Sequence, residues 1–194
     1  MLNILGPSGV GKGTLIKFIR DTFKNKFEFS VSHTTRKIRE GELYGVNYYY
    51  VSKEEFEEMI KLDLFVECAN YNGNYYGTSK KELERIKELC TKNNSICLLE
   101  LDIVGSRKLN DLKLGFEFIG ILPPSVEVLK QRLTLRGTEN EEQIETRLQI
   151  GKNEIDEINS TEWIKYKVVN DNLEDSTKKI IDIVLEIFPN QLKY

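Results

Sequence analysis

At 194 residues, with 40% apolar and 30% charged side chains, the chain suits a single globular domain. Its net charge of −3 excludes a global attraction to nucleic acid or anionic membrane, so any phosphate site has to be built locally. Leu2, Ile4 and Leu5 end at Gly6-Pro7, short of a secretory h-region, and no apolar run reaches bilayer length. Cys68, Cys90 and Cys97, with only His33 to complete a metal set, read as free thiols in a reducing compartment, the cytoplasm being the expected location.

The apolar run Leu2–Leu5 predicts a strand that stops at a glycine-rich turn. Leu15, Ile16, Phe18, Ile19 and Phe23 then recur at helical spacing. Residues 33–78 are different: polar, tyrosine-rich and broken by glycines. Within them Ser52 with Glu55 predicts a capping box opening a helix through Phe56, Met59 and Ile60. A helix from about Ser79 to Cys90 and buried strands at Ser95–Leu101 and Phe116–Leu122 follow. Ser125 caps a helix carrying Val126, Val128, Leu129 and Leu133, and a polar stretch at Arg136–Glu142 precedes a long helix towards Ile158. Tyr166–Val169 reads as the last strand and Leu173–Ile187 as the last helix. Strands alternating with helices predict an α/β fold, a parallel sheet flanked by helices on both faces.

Gly6-Pro7-Ser8-Gly9-Val10-Gly11-Lys12 matches G-x-x-x-x-G-K, placed between a strand and a helix as a phosphate loop requires. Backbone N–H groups of Ser8 to Thr14 and the helix dipole would cradle the phosphates of ATP, with Lys12 adding a full positive charge. A glycine-rich turn with an incidental lysine is the plain alternative, and the flanking elements argue against it. The hydroxyl residue that ordinarily follows the lysine is displaced: Gly13 comes next, then Thr14. Mg²⁺ can bind largely through ATP oxygens and water, with Thr14 and Glu100 the residues available to it.

Ser32-His33-Thr34-Thr35-Arg36 with Arg39, Gly41 and Glu42, then Gly45-Val46-Asn47-Tyr48, Phe65-Val66-Glu67, Gly73-Asn74-Tyr75-Tyr76-Gly77-Thr78 and Val168-Val169-Asn170-Asp171 stand in order along the chain. This series resembles the guanylate kinase family. The resemblance implies a P-loop nucleoside monophosphate kinase over residues 1–194, with core segments 1–32, 79–135 and 143–194, a GMP-binding region at 33–78 and a lid at about 136–142. It implies ATP-dependent phosphorylation of GMP, and of dGMP, by an enzyme working as a monomer with neither nucleic acid nor membrane. Arg36, Arg39, Tyr48 and Tyr76 would hold the GMP phosphate. Glu67 would accept from guanine N1–H and N2–H₂, with Ser32 and Thr78 donating to O6 and Asp102 adding an acceptor. Lys12, Arg39, Arg132 and Arg147 would surround the transferring group, and Arg136 and Asn170 would contact the adenine side.

The chemistry of the residues agrees. A dianionic phosphate suits planar guanidinium forks, and Arg36, Arg39, Arg132, Arg136 and Arg147 fall in the two motif regions, leaving Arg20, Arg85 and Arg107 elsewhere. Chance clustering is the plain alternative. Tyr50 is expected to share Tyr48's face with Tyr49 opposite, Glu42 to orient an arginine rather than touch substrate, and His33 to be structural rather than catalytic. Two other functions stay open at this stage: a phosphopeptide-binding module on the same fold, and a kinase for another nucleoside monophosphate.

Overall fold

The computed structural model describes residues 1–71, 73–135 and 141–192. Its core is a five-stranded sheet of β1 (Leu2–Leu5), β2 (Phe27–Phe29), β7 (Ile96–Leu101), β8 (Glu117–Leu122) and β9 (Tyr166–Val169), in the order β2-β7-β1-β8-β9. Every neighbour pair is parallel. The strands read as apolar runs because both faces are covered. Leu2, Ile4, Ile96 and Leu98 pack on one face with helices α1 (Lys12–Thr22) and α7 (Leu173–Ile187). Leu5, Cys97, Leu99 and Leu101 pack on the other against α3 (Lys80–Asn93) and α4 (Ile103–Asp111). Among the described residues no helix is long and apolar enough to cross a membrane.

Residues 33–79 build a second sheet from β3 (His33–Thr34), β4 (Tyr49–Tyr50), β5 (Phe65–Tyr71) and β6 (Asn74–Ser79), ordered β4-β3-β6-β5. Helix α2 (Lys53–Lys61) packs on it through Phe56, whose ring stacks on Phe65 and Tyr75. The expected capping box is present: Glu55 N–H donates to Ser52 Oγ at 3.0 Å and Ser52 N–H to Glu55 Oε2 at 2.7 Å. Buried Glu82 ties the two sheets together. Its carboxylate accepts from Val31 N–H at 2.8 Å, at the crossing from core to second sheet, and from the Arg85 guanidinium. His33 lies between the rings of Tyr49 and Phe65, as a structural histidine would.

Helices α5 (Val126–Leu135) and α6 (Glu141–Ser160) complete the core. The lid expected at 136–142 lies, for residues 136–140, outside the described residues, and Arg136 with it. Helix α4, strand β2 and the strands β3, β5 and β6 of the second sheet have no counterpart among the sequence-derived elements. The buried face of α4, made of Ile103, Gly105, Ser106 and Leu109, is too small and polar to register as an apolar stripe, and β2 is only three residues long.

Candidate active site

The phosphate loop joins the end of β1 to the start of α1. Gly11 is the N-cap residue with φ of 100°, and a β-carbon there would stand 2.4 Å from Asn170 Nδ2, so only glycine fits on both counts. Lys12 folds back over the loop: its ammonium donates to the carbonyls of Gly6 at 2.7 Å and Pro7 at 3.2 Å, with Glu100 Oε1 at 3.9 Å. In this position it braces the loop; serving a phosphate requires it to exchange those carbonyls for phosphate oxygens. Thr14 and Glu100 line the same cleft, an oxygen donor pair of the kind Mg²⁺ accepts. No group of three or more metal-ligating side chains gathers among the described residues.

Two of the expected residues contact carbonyls at the back of the loop. Asn170 is buried, and its amide donates to Val10 O at 2.8 Å. Arg132 lies beside it. Its guanidinium donates to Asn170 O at 2.8 Å, to Asp171 O at 3.4 Å and to Val10 O at 3.5 Å. Both side chains satisfy carbonyls behind the loop, which a buried backbone acceptor demands. Val10 contributes main chain alone, its side chain being fully buried in the core. Arg147, by contrast, reaches the cleft from α6 and donates to Ser8 Oγ at 3.0 Å.

Across the cleft stands Glu67, just past a register shift in β5. It is 4% exposed and so is not a solvated strand-end carboxylate. Its Oε1 accepts from Thr78 N–H at 2.7 Å. Burial pushes the carboxyl up to about 7 against the hydrogen bonding from Thr78, with nearby Asp102 adding to the rise. Thr78 is fully buried, its hydroxyl 3.4 Å from Ser32 Oγ, so Ser32 is the hydroxyl that faces the cleft. Asp102 caps α4 by accepting from Gly105 N–H at 2.8 Å while still lining the cleft.

Between these poles the second sheet presents a cationic, aromatic wall. The Arg36 guanidinium lies 5.4 Å from the ring centre of Tyr48 and 5.8 Å from that of Tyr50, while Tyr48 and Tyr76 meet edge to face at 5.9 Å. Tyr49 turns the other way, as expected. Glu42 does not present a free carboxylate to the cleft. It accepts from Arg36 Nη2 and the Tyr50 hydroxyl at 2.8 Å each and from Arg39 N–H at 2.9 Å. Burial would raise its pKa, but these three donors outweigh that and hold it at about 2. Glu42 therefore orients the arginine wall, and any contact it has with substrate runs through Arg36 and Arg39.

Lys12, Arg147, Arg36, Arg39, Glu67 and Asp102 share one cleft of about 1460 Å³. Glu154 and Tyr71 also line it, and no sequence motif named them. Helical spacing carried a trace of Glu154: it follows Arg147 and Gly151 on one face of α6, all three buried.

A strand, phosphate loop and helix at the carboxyl edge of a parallel sheet, facing an arginine- and tyrosine-lined second sheet with a buried carboxylate, define a P-loop nucleoside monophosphate kinase fold. The guanylate kinase family model matches residues 1–186, and the chain belongs to that family. It is 45% identical over 184 residues to the guanylate kinase of Clostridium tetani, covering 95% of this chain and 84% of that protein. It is 43% identical over 183 residues to guanylate kinase 1 of Oryza sativa, covering 93% of this chain and 47% of that protein; the chain thus spans about half the length of the plant relatives it matches. A crystal structure of guanylate kinase from Anaplasma phagocytophilum superposes with a TM-score of 0.72 at 29% identity, covering 100% of this chain and 86% of that one.

Proposed function

We propose that the protein transfers the γ-phosphoryl group of ATP to GMP, and also to dGMP, giving ADP and the corresponding guanine nucleoside diphosphate. The observation that carries this reading is the buried Glu67 carboxylate on the same cleft as the Lys12 phosphate loop. Guanine offers N1–H and N2–H₂ side by side, and one carboxylate accepts from both; adenine would turn an acceptor towards it and be repelled. Arg36, Arg39, Tyr48 and Tyr76 supply donors for the monophosphate.

An oxygen of the GMP phosphate attacks the γ-phosphorus as the bond to the ADP oxygen breaks. The attacking oxygen is already anionic, so no general base is required, and positioning with charge stabilisation supplies the rate. In this reading Lys12 leaves the carbonyls of Gly6 and Pro7 for the phosphates, and Arg39 and Arg147 approach the transferring group. Arg132, which at rest donates to Asn170 O, would turn to the transferring group, and Asn170, whose amide holds Val10 O, would border the adenine side with Arg136. Mg²⁺ arriving with ATP would neutralise phosphate charge, and Thr14 and Glu100 would face it.

Residues 33–78 serve in this reading as the GMP-binding region, and residues 136–142 as the lid. We place the enzyme in the cytoplasm as a monomer, supported by its three free thiols and the lack of any global charge attraction to polymers or membrane. A coupled assay of ADP formation against GMP, AMP, UMP and TMP tests the assignment. Turnover with GMP alone is expected. Preference for another monophosphate, or GMP binding without turnover, overturns it.

A further inference from the structure

Two polar groups on the cleft wall keep hydrogen-bonding capacity that the described residues do not use. Glu154 is only 4% exposed; its carboxylate meets the Ile103 backbone N–H, and its Oε2 is buried with no hydrogen-bond partner among the described residues. The Tyr71 hydroxyl is likewise buried; its oxygen lies within reach of the Ser8 backbone N–H, and among the described residues no acceptor takes its proton. They come from opposite sides of the cleft. Tyr71 ends β5 in the second sheet, its ring edge-on to Tyr76 at 6.5 Å. Glu154 lies on the α6 face that packs on the phosphate loop, where Arg147 holds Ser8 and Gly151 sits against Pro7. The two groups lie in each other's electrostatic field but are not hydrogen-bonded to each other.

A buried polar atom left unpaired calls for an explanation, and on the wall of a binding cleft an arriving ligand supplies one. Here the pair consists of one donor, the phenol, and one acceptor, the carboxyl. A hydroxyl group, which accepts and donates at once, answers both. A phosphate does not, because Glu154 repels it. A base edge already has Glu67, Ser32 and Asp102. Tyr71 ends the strand that carries Glu67, and Glu154 shares a buried helix face with Arg147, which holds Ser8 of the loop, so the pair stands between the carboxylates that would read the base and the phosphate loop. On a nucleotide, the hydroxyl-bearing part between base and phosphate is the sugar.

We propose that Tyr71 and Glu154 form a ribose subsite that hydrogen-bonds a sugar hydroxyl of the acceptor nucleotide and so makes the enzyme favour ribo- over deoxyribonucleotides. The inference rests on the guanylate kinase reading above and names a selectivity of that same cleft. Loss of a hydrogen bond between uncharged partners weakens recognition by about 3- to 10-fold, and loss of one to a charged partner by about ten-fold or more.

The test is kcat/KM for GMP, 2′-deoxy-GMP and 3′-deoxy-GMP, with ATP and 2′-deoxy-ATP as alternative donors, in wild type, Tyr71→Phe, Glu154→Gln and Glu154→Leu. Melting temperatures of the near-isosteric Phe and Gln variants report on folding. Wild type is expected to prefer GMP over the analogue lacking the hydroxyl that is read. Tyr71→Phe and Glu154→Leu should lower GMP turnover within those ranges while leaving that analogue unchanged, and Glu154→Gln, which keeps an acceptor oxygen, should retain more of the preference than Glu154→Leu. Equal losses on all three acceptors would mean a structural role, no loss would mean the pair is merely hydrated, and a change confined to ATP against 2′-deoxy-ATP would place the donor's sugar there; each overturns the proposal. A wild type that phosphorylates none of the guanylates removes the kinase reading and the subsite together, whereas full turnover with indifferent sugar preference removes the subsite alone.

Discussion

The first turn of α4 passes so close to Glu67 that a β-carbon on Gly105 would stand 2.6 Å from Glu67 Oε2 and 3.1 Å from its Cδ. Helix propensity favours alanine at a helical position by about 1 kcal/mol, so glycine here serves the approach rather than the helix. Gly105→Ala should leave the melting temperature near wild type or slightly above it, because the atom displaced is the tip of a side chain. The same displacement moves the carboxylate that reads guanine. GMP affinity is expected to fall at least about ten-fold with ATP affinity unchanged, by calorimetric titration of each nucleotide. Wild-type GMP binding by this variant would show that Glu67 does not need its present position.

Lys12→Ala should abolish phosphoryl transfer, by on the order of 10³-fold or more in turnover, while GMP still binds. The ammonium braces Gly6 and Pro7 carbonyls at the edge of the cleft and does not contribute to the apolar core. Steady-state turnover and a GMP titration on the same preparation check both halves. Near wild-type turnover would sink the phosphate-loop assignment.

Glu67→Gln should damage GMP binding far more than ATP binding. An amide can accept from only one of the two guanine donors, and its NH₂ would meet the other, leaving a buried contact unpaired at about 1–3 kcal/mol, more where a charge is lost. GMP affinity should drop about ten- to several-hundred-fold. Titration calorimetry that returned equal GMP affinities would remove Glu67 from the site.

Stability and binding should respond oppositely to pH near neutrality. Burial pushes Glu67 and Glu154 up to about 7, above the ordinary carboxyl value of 4.5. The folded state therefore holds more protons than the unfolded one between pH 4.5 and 7, so these groups lower stability as pH rises through that window. Glu42, held at about 2, acts the other way: its contribution is present above 4.5 and is lost as pH falls towards 2. Melting curves should show wild type losing stability from pH 5 to 8 relative to a Glu67→Gln/Glu154→Gln variant, on the order of 1–3 kcal/mol. GMP affinity should strengthen as Glu67 ionises through pH 7. A wild type and double variant with parallel pH profiles would contradict the burial argument.

The sequence by itself determined what is local. An apolar run, a glycine-rich turn and a helical period encode β1, the phosphate loop and α1 in consecutive residues, and Ser52 with Glu55 encodes a cap within one turn. The order of the motifs also singled out Glu67 and the arginine wall. Tertiary structure decided the rest, because burial and partnership depend on segments distant in the chain. Lys12 rests on the carbonyls of its own loop, Arg132 donates to Asn170 O, and Asn170 donates to Val10 O. Gly105 earns its place only when α4 meets β5. Tyr71 and Glu154, one on the second sheet and one on α6, become a pair only when the folded chain buries both on one cleft and leaves a donor on one and an acceptor on the other unused among the described residues. No spacing in sequence encodes that, since an unsatisfied atom is defined by what the rest of the fold fails to bring to it.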